Sequence, residues 1–255
     1  MIAEMIAISN RELKHWYRAR TAVFMSLIQP LIWLGLFGNA LGNAPMPFLS
    51  VLGAPNYLSF MTPGIVAMTM LFGGTFAGMS VIWDKRFGYL NKLLVAPIPR
   101  TPIVLGKMIS ATIRGMIQGL IVLTIAIALG VTVQTGILGI VLTMLITGLF
   151  TLGLASVSIA AATSMKTHET FFAFINLINL PLMFMSNALF PTAFMPNWMK
   201  SVASVNPFSF CVEAVRMLII GNLDLSRMLF DLEALLVFTI AATSIGIVTF
   251  RRITK

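Results

Sequence analysis

The sequence predicts an all-α polytopic membrane protein. It has six transmembrane helices, an N-terminal interfacial helix, a short cytoplasmic helix between spans 2 and 3, and an outer re-entrant helical segment between spans 5 and 6. Three observations carry this. First, of 255 residues 58% are hydrophobic and only 10% charged, where a soluble domain carries about 25% charged residues. No soluble core hides so much apolar surface, so lipid is the solvent for most of the chain. Second, the apolar residues come in continuous runs such as "LIVLTIAIALGV", not in the alternating segments of about ten residues that barrel strands show. Third, most of the cationic residues fall on alternate connections, as they do in a chain that crosses a membrane repeatedly.

The first twenty residues read as a helix lying in the inner interface. Ile2, Met5, Ile6, Leu13, Trp16 and Tyr17 recur near helical spacing, with Glu4, Arg11, Lys14 and Arg18 elsewhere. The oily run that follows is longer than a signal-peptide core of about 7–15 residues. A bilayer needs about 20 mainly apolar residues per helix. The spans fall at about 21–41, 59–83, 108–131, 137–163, 171–190 and 229–250, within one membrane domain covering 1–255. Backbone groups in lipid must bond within their own segment, which makes these runs helices. Glycines four apart, at Gly38 and Gly42, Gly74 and Gly78, and Gly115 and Gly119, are candidate sites of close helix approach.

Charge sets the orientation. Arg11, Lys14, Arg18 and Arg20 precede the first span, and Lys85, Arg86, Lys92, Arg100 and Lys107 lie between the second and third. Lys166 follows the fourth span, and Arg251, Arg252 and Lys255 close the sequence. The opposite connections, about 42–58 and 132–136, contain neither Lys nor Arg. Both termini are therefore expected in the cytoplasm, which six spans satisfy. The segment 190–228 is apolar enough to tempt a seventh span, but it holds Glu213 and Arg216 near the middle of its apolar part. Each charge costs roughly 2.5–3.5 kcal/mol at a bilayer centre. The segment is expected to dip into the membrane edge from outside, with Glu213 and Arg216 sharing a helix face and able to pair. Arg114, in the first turns of the third span, is expected to snorkel to the interface.

The formal charge of +9 does not point to nucleic acid, because it forms no stripe on a soluble face. Cys211 is the one cysteine, which excludes an internal disulfide and a cysteine metal cluster. His15 and His168 fall in expected cytoplasmic connections, with no further ligand at metal spacing. No phosphate-binding glycine loop and no nucleophile elbow occur. Carboxylates are nearly absent from the spans: Asp84 lies at a span end, and Asp231 and Glu233 at the outer start of the last. An ion-coupled carrier or channel, the alternative reading, would place such groups at membrane depth. A membrane-embedded enzyme would need a catalytic cluster, and none is found; a non-transporting assembly factor stays open. If the protein moves something uphill, the energy comes from a partner.

The stretch "FGYLNKLLVAPIPRTPIVLGK", Phe87 to Lys107, breaks the oily pattern. Leu90, Leu93 and Leu94 at i, i+3 and i+4 form one apolar face. Gly88 sets off one end, and Pro97, Pro99 and Pro102 stop continuation at the other. Together with the preceding Asp84, this stretch resembles the cytoplasmic loop of type-2 ATP-binding-cassette exporter permeases, in particular the daunorubicin-exporter-like branch. Asp84, Phe87, Gly88, Leu90, Leu93, Leu94, Pro97, Arg100, Leu105, Gly106 and Lys107 carry that likeness. "LPLMFMSNALFPTAFMPNWMKSVASVNPFSFCVEAVR" resembles the same family after its fifth span, at Pro181, Phe184, Ser186, Phe190, Pro191, Pro196, Trp198, Asn206, Pro207 and Arg216. Arg86 departs from the family's usual Glu, Lys92 from a place often polar or acidic, and Asn187 from a common Gly.

The resemblance implies a membrane subunit that works as a homodimer, or beside a similar subunit, above two copies of an ATPase. ATP and Mg belong to that partner, and this chain binds no cofactor and no metal. Residues 84–107 then form the coupling loop. Arg86, Gly88, Leu90, Lys92, Leu93, Leu94, Pro97 and Arg100 would meet the ATPase or set its joint. The outer re-entrant segment would be shaped by Pro181, Ser186, Pro191, Pro196, Asn206, Pro207, Glu213 and Arg216. The expected role is export of an amphipathic drug, lipid or glycan-type substrate across the plasma membrane of a prokaryote.

Overall fold

The computed structural model describes residues 1–41, 54–189 and 191–253, and every regular element among them is helical. Gly42, Phe190 and Lys255 lie outside the described residues, and so does the side-chain environment of Gly38. The chain opens with α1 (Ile2–Arg18), an amphipathic helix that buries Ile8, Ser9 and Glu12 and leaves Ile2 and Tyr17 exposed. At Ala19 it turns by 78° into α2 (Arg20–Leu41). The bend falls where amphipathic sequence gives way to apolar sequence.

The centre of the molecule is α3 (Tyr57–Thr75), buried along nearly all its length and packed against α2. Its first turn is capped by Asn56, whose side chain accepts from the Ser59 N–H at 2.8 Å. A 3-10 turn, Phe76–Gly78, leads without a break into α4 (Met79–Arg86). The tightened turn has a cause. The Ser158 hydroxyl accepts from the Gly78 N–H at 2.9 Å and donates to the Thr75 carbonyl, so a neighbouring side chain enters the ladder. After Gly88 comes α5 (Tyr89–Val95), then α6 (Arg100–Ala128), α7 (Gly136–Ser164) and α8 (His168–Phe184). A second 3-10 turn, Thr192–Phe194, precedes α9 (Asn197–Ala203), α10 (Pro207–Ile220) and α11 (Leu225–Ile253). Both α6 and α7 pack on α3, and α11 lies along α7.

Tyr57–Arg86, Arg100–Ala128, Gly136–Ser164 and Leu225–Arg252 are each long and apolar enough to cross a membrane. Their 28–30 residues reach about 42–45 Å, against a hydrocarbon core of about 30 Å. Two bent pairs, α1 with α2 and α9 with α10, bring the number of candidate spans to at most six among the described residues. The helix at the expected fifth span has 17 residues, or about 25 Å, and ends at Phe184 where the sequence predicts continuation to 190. The helix expected from 108 starts at Arg100, and that expected from 229 starts at Leu225. Apolar runs reveal the lipid-soluble part of a helix, and these helices extend beyond it.

Two expected small-residue contacts are present. A Cβ on Gly74 would lie 3.0 Å from the Thr151 carbonyl of α7, and one on Gly78 would collide with the Ser158 carbonyl. Gly115 lies against the side chains of Thr151 and Met70, and Gly119 against those of Met70 and Val66. The buried side chains form two clusters. One, around Phe60, Phe150 and Phe208, fills the end that holds α10. The other, around Ile82, Leu90, Ile103, Phe171 and Phe250, fills the end that holds α1 and α5.

Candidate functional site

At the α5 end, the joint between α4 and α5 is Gly88, with φ +69°. Its N–H donates to the Lys85 carbonyl at 3.1 Å, which ends α4 in the left-handed cap that glycine accepts at least cost. Leu90 is 3% exposed, and Leu93 and Leu94 pack against the same cluster. The leucine face is therefore seated on the protein's own interior. Arg86, Phe87, Asn91, Lys92, Val95, Pro97 and Pro99 form the outer surface of the segment. Arg100 opens α6 and donates to the Arg251 carbonyl near the end of α11 at 3.4 Å. Lys85 donates to the carbonyls of Ala162, Thr163 and Met165. It thereby caps the carbonyl end of α7, where a cation is favoured.

Beneath the segment lies a quartet of charges. The Lys107 ammonium, 1% exposed, contacts Glu12 Oε1 at 2.8 Å and Asp84 Oδ2 at 2.5 Å. Arg11 reaches the same two carboxylates, each at 3.1 Å. Its guanidinium lies 3.5 Å above the Tyr89 ring centroid. Two cations and two carboxylates close a neutral network, the condition under which buried charge is tolerated. It ties α1, α4 and α6 together and holds α5 from behind. Asp84 and Lys107 belong to a motif that names no partner for them, and Glu12 lies outside any motif. Lys107 lies 95 residues from Glu12 and 23 from Asp84, distances at which no local periodicity can signal a contact.

At the other end, Asn206 joins α8 to α10. Its amide N–H groups donate to the carbonyls of Leu182 and Met185, both at 2.9 Å, and its Oδ1 accepts from the Phe208 N–H at 2.9 Å. Pro207 follows at the first position of α10. Pro181 lies inside α8 and does not break it, while Pro191 and Pro196 stand just before the second 3-10 turn and α9. The buried Ser186 hydroxyl donates to the Met183 carbonyl at 2.7 Å.

The expected Glu213–Arg216 pair does not form. Glu213 is bound by Arg227 at 3.1 and 3.0 Å. Arg216 instead donates to the Asn187 carbonyl at 2.6 Å and lies 4.3 Å over the Phe60 ring centroid. His168 is half-buried at the start of α8: its Nδ1 is 3.0 Å from Met79 Sδ and its ring meets Trp83 edge-on.

Between the two ends, a cavity of about 560 Å³ lies among α2, α3, α6 and α8, with Trp16 of α1 at its edge. Arg114 faces it from the middle of α6.

Residues 3–220 match the ABC-2 type transporter family. The chain belongs to that family. It is 33% identical over 223 residues to the transport permease ycf38 of Pyropia yezoensis, covering 86% of this chain and 74% of that one. It is 24% identical over 229 residues to the doxorubicin resistance ABC transporter permease protein DrrC of Mycobacterium tuberculosis H37Rv, covering 89% and 81%. It is 25% identical over 200 residues to the daunorubicin resistance ABC transporter permease protein DrrB1 of Streptomyces coeruleorubidus, covering 78% and 68%. As an ABC-2 permease the chain is a multi-pass membrane subunit of a transporter, in a family that lacks the ATP-binding domain and generally works with an ABC ATPase.

Proposed function

We propose that this chain is the permease of an ATP-driven exporter that moves an amphipathic substrate out of the cell. In this reading both termini face the cytoplasm of a prokaryote. A second copy completes the pathway, and two copies of a separate ATPase hold ATP and Mg below it. The observation that supports it best is the build of Phe87–Val95. Phe87 just before this short helix, and Asn91, Lys92 and Val95 within it, face outward. Its back is fixed through Leu90 and, by way of Tyr89, through the charge quartet. A push delivered to that surface passes to α1, α4 and α6 through packed side chains and ion pairs, not through a slack loop. Arg86 and Lys92 make the surface basic, so the matching groove on the ATPase is acidic.

The test is co-purification with the ATPase and reconstitution in vesicles. Lys92→Glu should weaken the complex and lower substrate-stimulated ATP hydrolysis while the permease stays folded. Transport by this chain in the absence of any ATPase would overturn the reading.

A further inference from the structure

We infer that the cavity beside α6 is a binding site for an amphiphile with an anionic headgroup, held by Arg114 at its charge and by an aromatic wall along its body. The inference deepens the exporter reading, on which the word cargo rests; the binding itself needs no ATP.

The space suits a ligand of that kind. At about 560 Å³ it lies within the usual range of about 300–1,000 Å³ for small-molecule pockets. Trp16, Trp33 and Phe72 give it apolar walls, and Arg114, Gln118 and Asn179 give it a polar side. Among the described lining residues Arg114 is the one charged side chain, and no carboxylate faces it.

Arg114 sets the sign of the ligand. Its Nε is buried with no hydrogen-bond partner, and no ion pair reaches the guanidinium among the described residues. By contrast, Lys107 and Arg11 are engaged with carboxylates and Lys85 with helix-end carbonyls. Glu12, whose charge acts on Arg114 from a distance, is itself occupied by Lys107 and Arg11. A guanidinium inside a membrane bundle is costly unless it meets an anion. Its planar fork matches a carboxylate, sulfonate or phosphate through two parallel N–H bonds. Asn179 adds a second vacancy: its Nδ2 donates to Thr75 at 3.2 Å, while its Oδ1 is buried and unpartnered. A hydroxyl or amide N–H next to the anionic group would satisfy it. A neutral or cationic amphiphile would leave Arg114 unpaired and so bind less tightly.

The experiment uses the full chain in micelles of a neutral maltoside detergent. It is titrated with a dansylated undecanoic acid and with the methyl ester of the same molecule, read by dansyl emission and by transfer from tryptophan. The acid should bind about tenfold more tightly than the ester, a difference of ~1.4 kcal/mol. Arg114→Gln should bring the acid down to the ester's affinity and leave the ester unchanged, and Arg114→Lys should keep part of the preference. Equal affinity of the wild-type chain for acid and ester, or a preference that survives Arg114→Gln, would overturn the inference. The wild-type comparison decides by itself if the Gln variant fails to fold. Repeating the titration in vesicles of phosphatidylcholine, with and without phosphatidylglycerol, separates the sources. Displacement of the acid by phosphatidylglycerol identifies a lipid headgroup as the natural occupant. Undiminished binding identifies a non-lipid acidic amphiphile. If the acid binds through Arg114 but the ATPase never drives its movement, the binding site stands and the exporter reading fails.

Discussion

Glu213 takes both of its charge-assisted bonds from Arg227, at 3.1 and 3.0 Å, and none from Arg216 three residues away on its own helix. The chain turns back at Gly221, φ +87°, and brings the start of α11 beside α10. Arg227 thereby also lies 3.5 Å from Asp231, whose carboxylate is fully buried and makes no hydrogen bond.

Arg227 is therefore worth more than its pair with Glu213. An exposed ion pair contributes about 0–1 kcal/mol. Leaving a buried charge uncompensated costs roughly 3–5 kcal/mol. Arg227→Met should lower the thermal unfolding midpoint clearly, Glu213→Gln only slightly, and adding Asp231→Asn to Arg227→Met should restore most of the loss. Equal effects of the two single substitutions would show that Asp231 does not depend on Arg227.

Arg216 holds α10 to α3 by stacking over Phe60 and to the α8–α9 connection through the Asn187 carbonyl. Lysine cannot reproduce a flat group over a ring. Arg216→Lys should destabilise by about 1–2 kcal/mol. Phe60→Leu should cost part of the same energy, so that the two together cost less than their sum. A double-mutant cycle on denaturant unfolding measures the coupling; strict additivity would show that the stack contributes nothing.

These contacts mark the limit of what the sequence discloses. The helices at the expected spans could be read because continuous apolar runs have few solutions in lipid, and α5 because Leu90, Leu93 and Leu94 repeat at helical spacing. The chemistry of Asn206 and Pro207 is local, and they stand where α10 starts. The burial of the leucine face, by contrast, depends on which element packs behind it. Glu213 chose between two arginines by the path of the chain at Gly221, and a spacing of three could not foresee that. That Arg114 faces a cavity depends likewise on α2, α3 and α8, elements far from it in the sequence.

Two glycines separate conformational need from lack of room. Gly88 has a left-handed backbone and nothing within 4 Å of a Cβ, whereas Gly78 has an ordinary φ of about −63° but sits against the Ser158 carbonyl and the Phe171 ring. Gly88→Ala should cost about 1–2 kcal/mol and leave folding intact, while altering the angle between α4 and α5. Gly78→Ala demands movement of backbone in α7, so it should cost at least 1–3 kcal/mol and reduce the yield of folded protein. Yield and unfolding midpoint of the two variants, compared side by side, check the ranking.

The charge quartet gives the last prediction, because in the proposed exporter its members divide between holding the fold and carrying a push. Lys107 is almost fully buried and serves both Glu12 and Asp84. Lys107→Met leaves two carboxylates facing each other with only Arg11, and should destabilise by roughly 3–5 kcal/mol. Glu12→Gln added to it removes one of those charges and should recover part of the loss. Arg11 is partly exposed, so Arg11→Gln should be milder, yet it releases the contact over Tyr89 that holds α5 from behind. The expected phenotype of Arg11→Gln is a folded permease that still binds its ATPase while substrate no longer stimulates hydrolysis. Normal stimulation in that variant would show that α5 is held well enough by Leu90 alone.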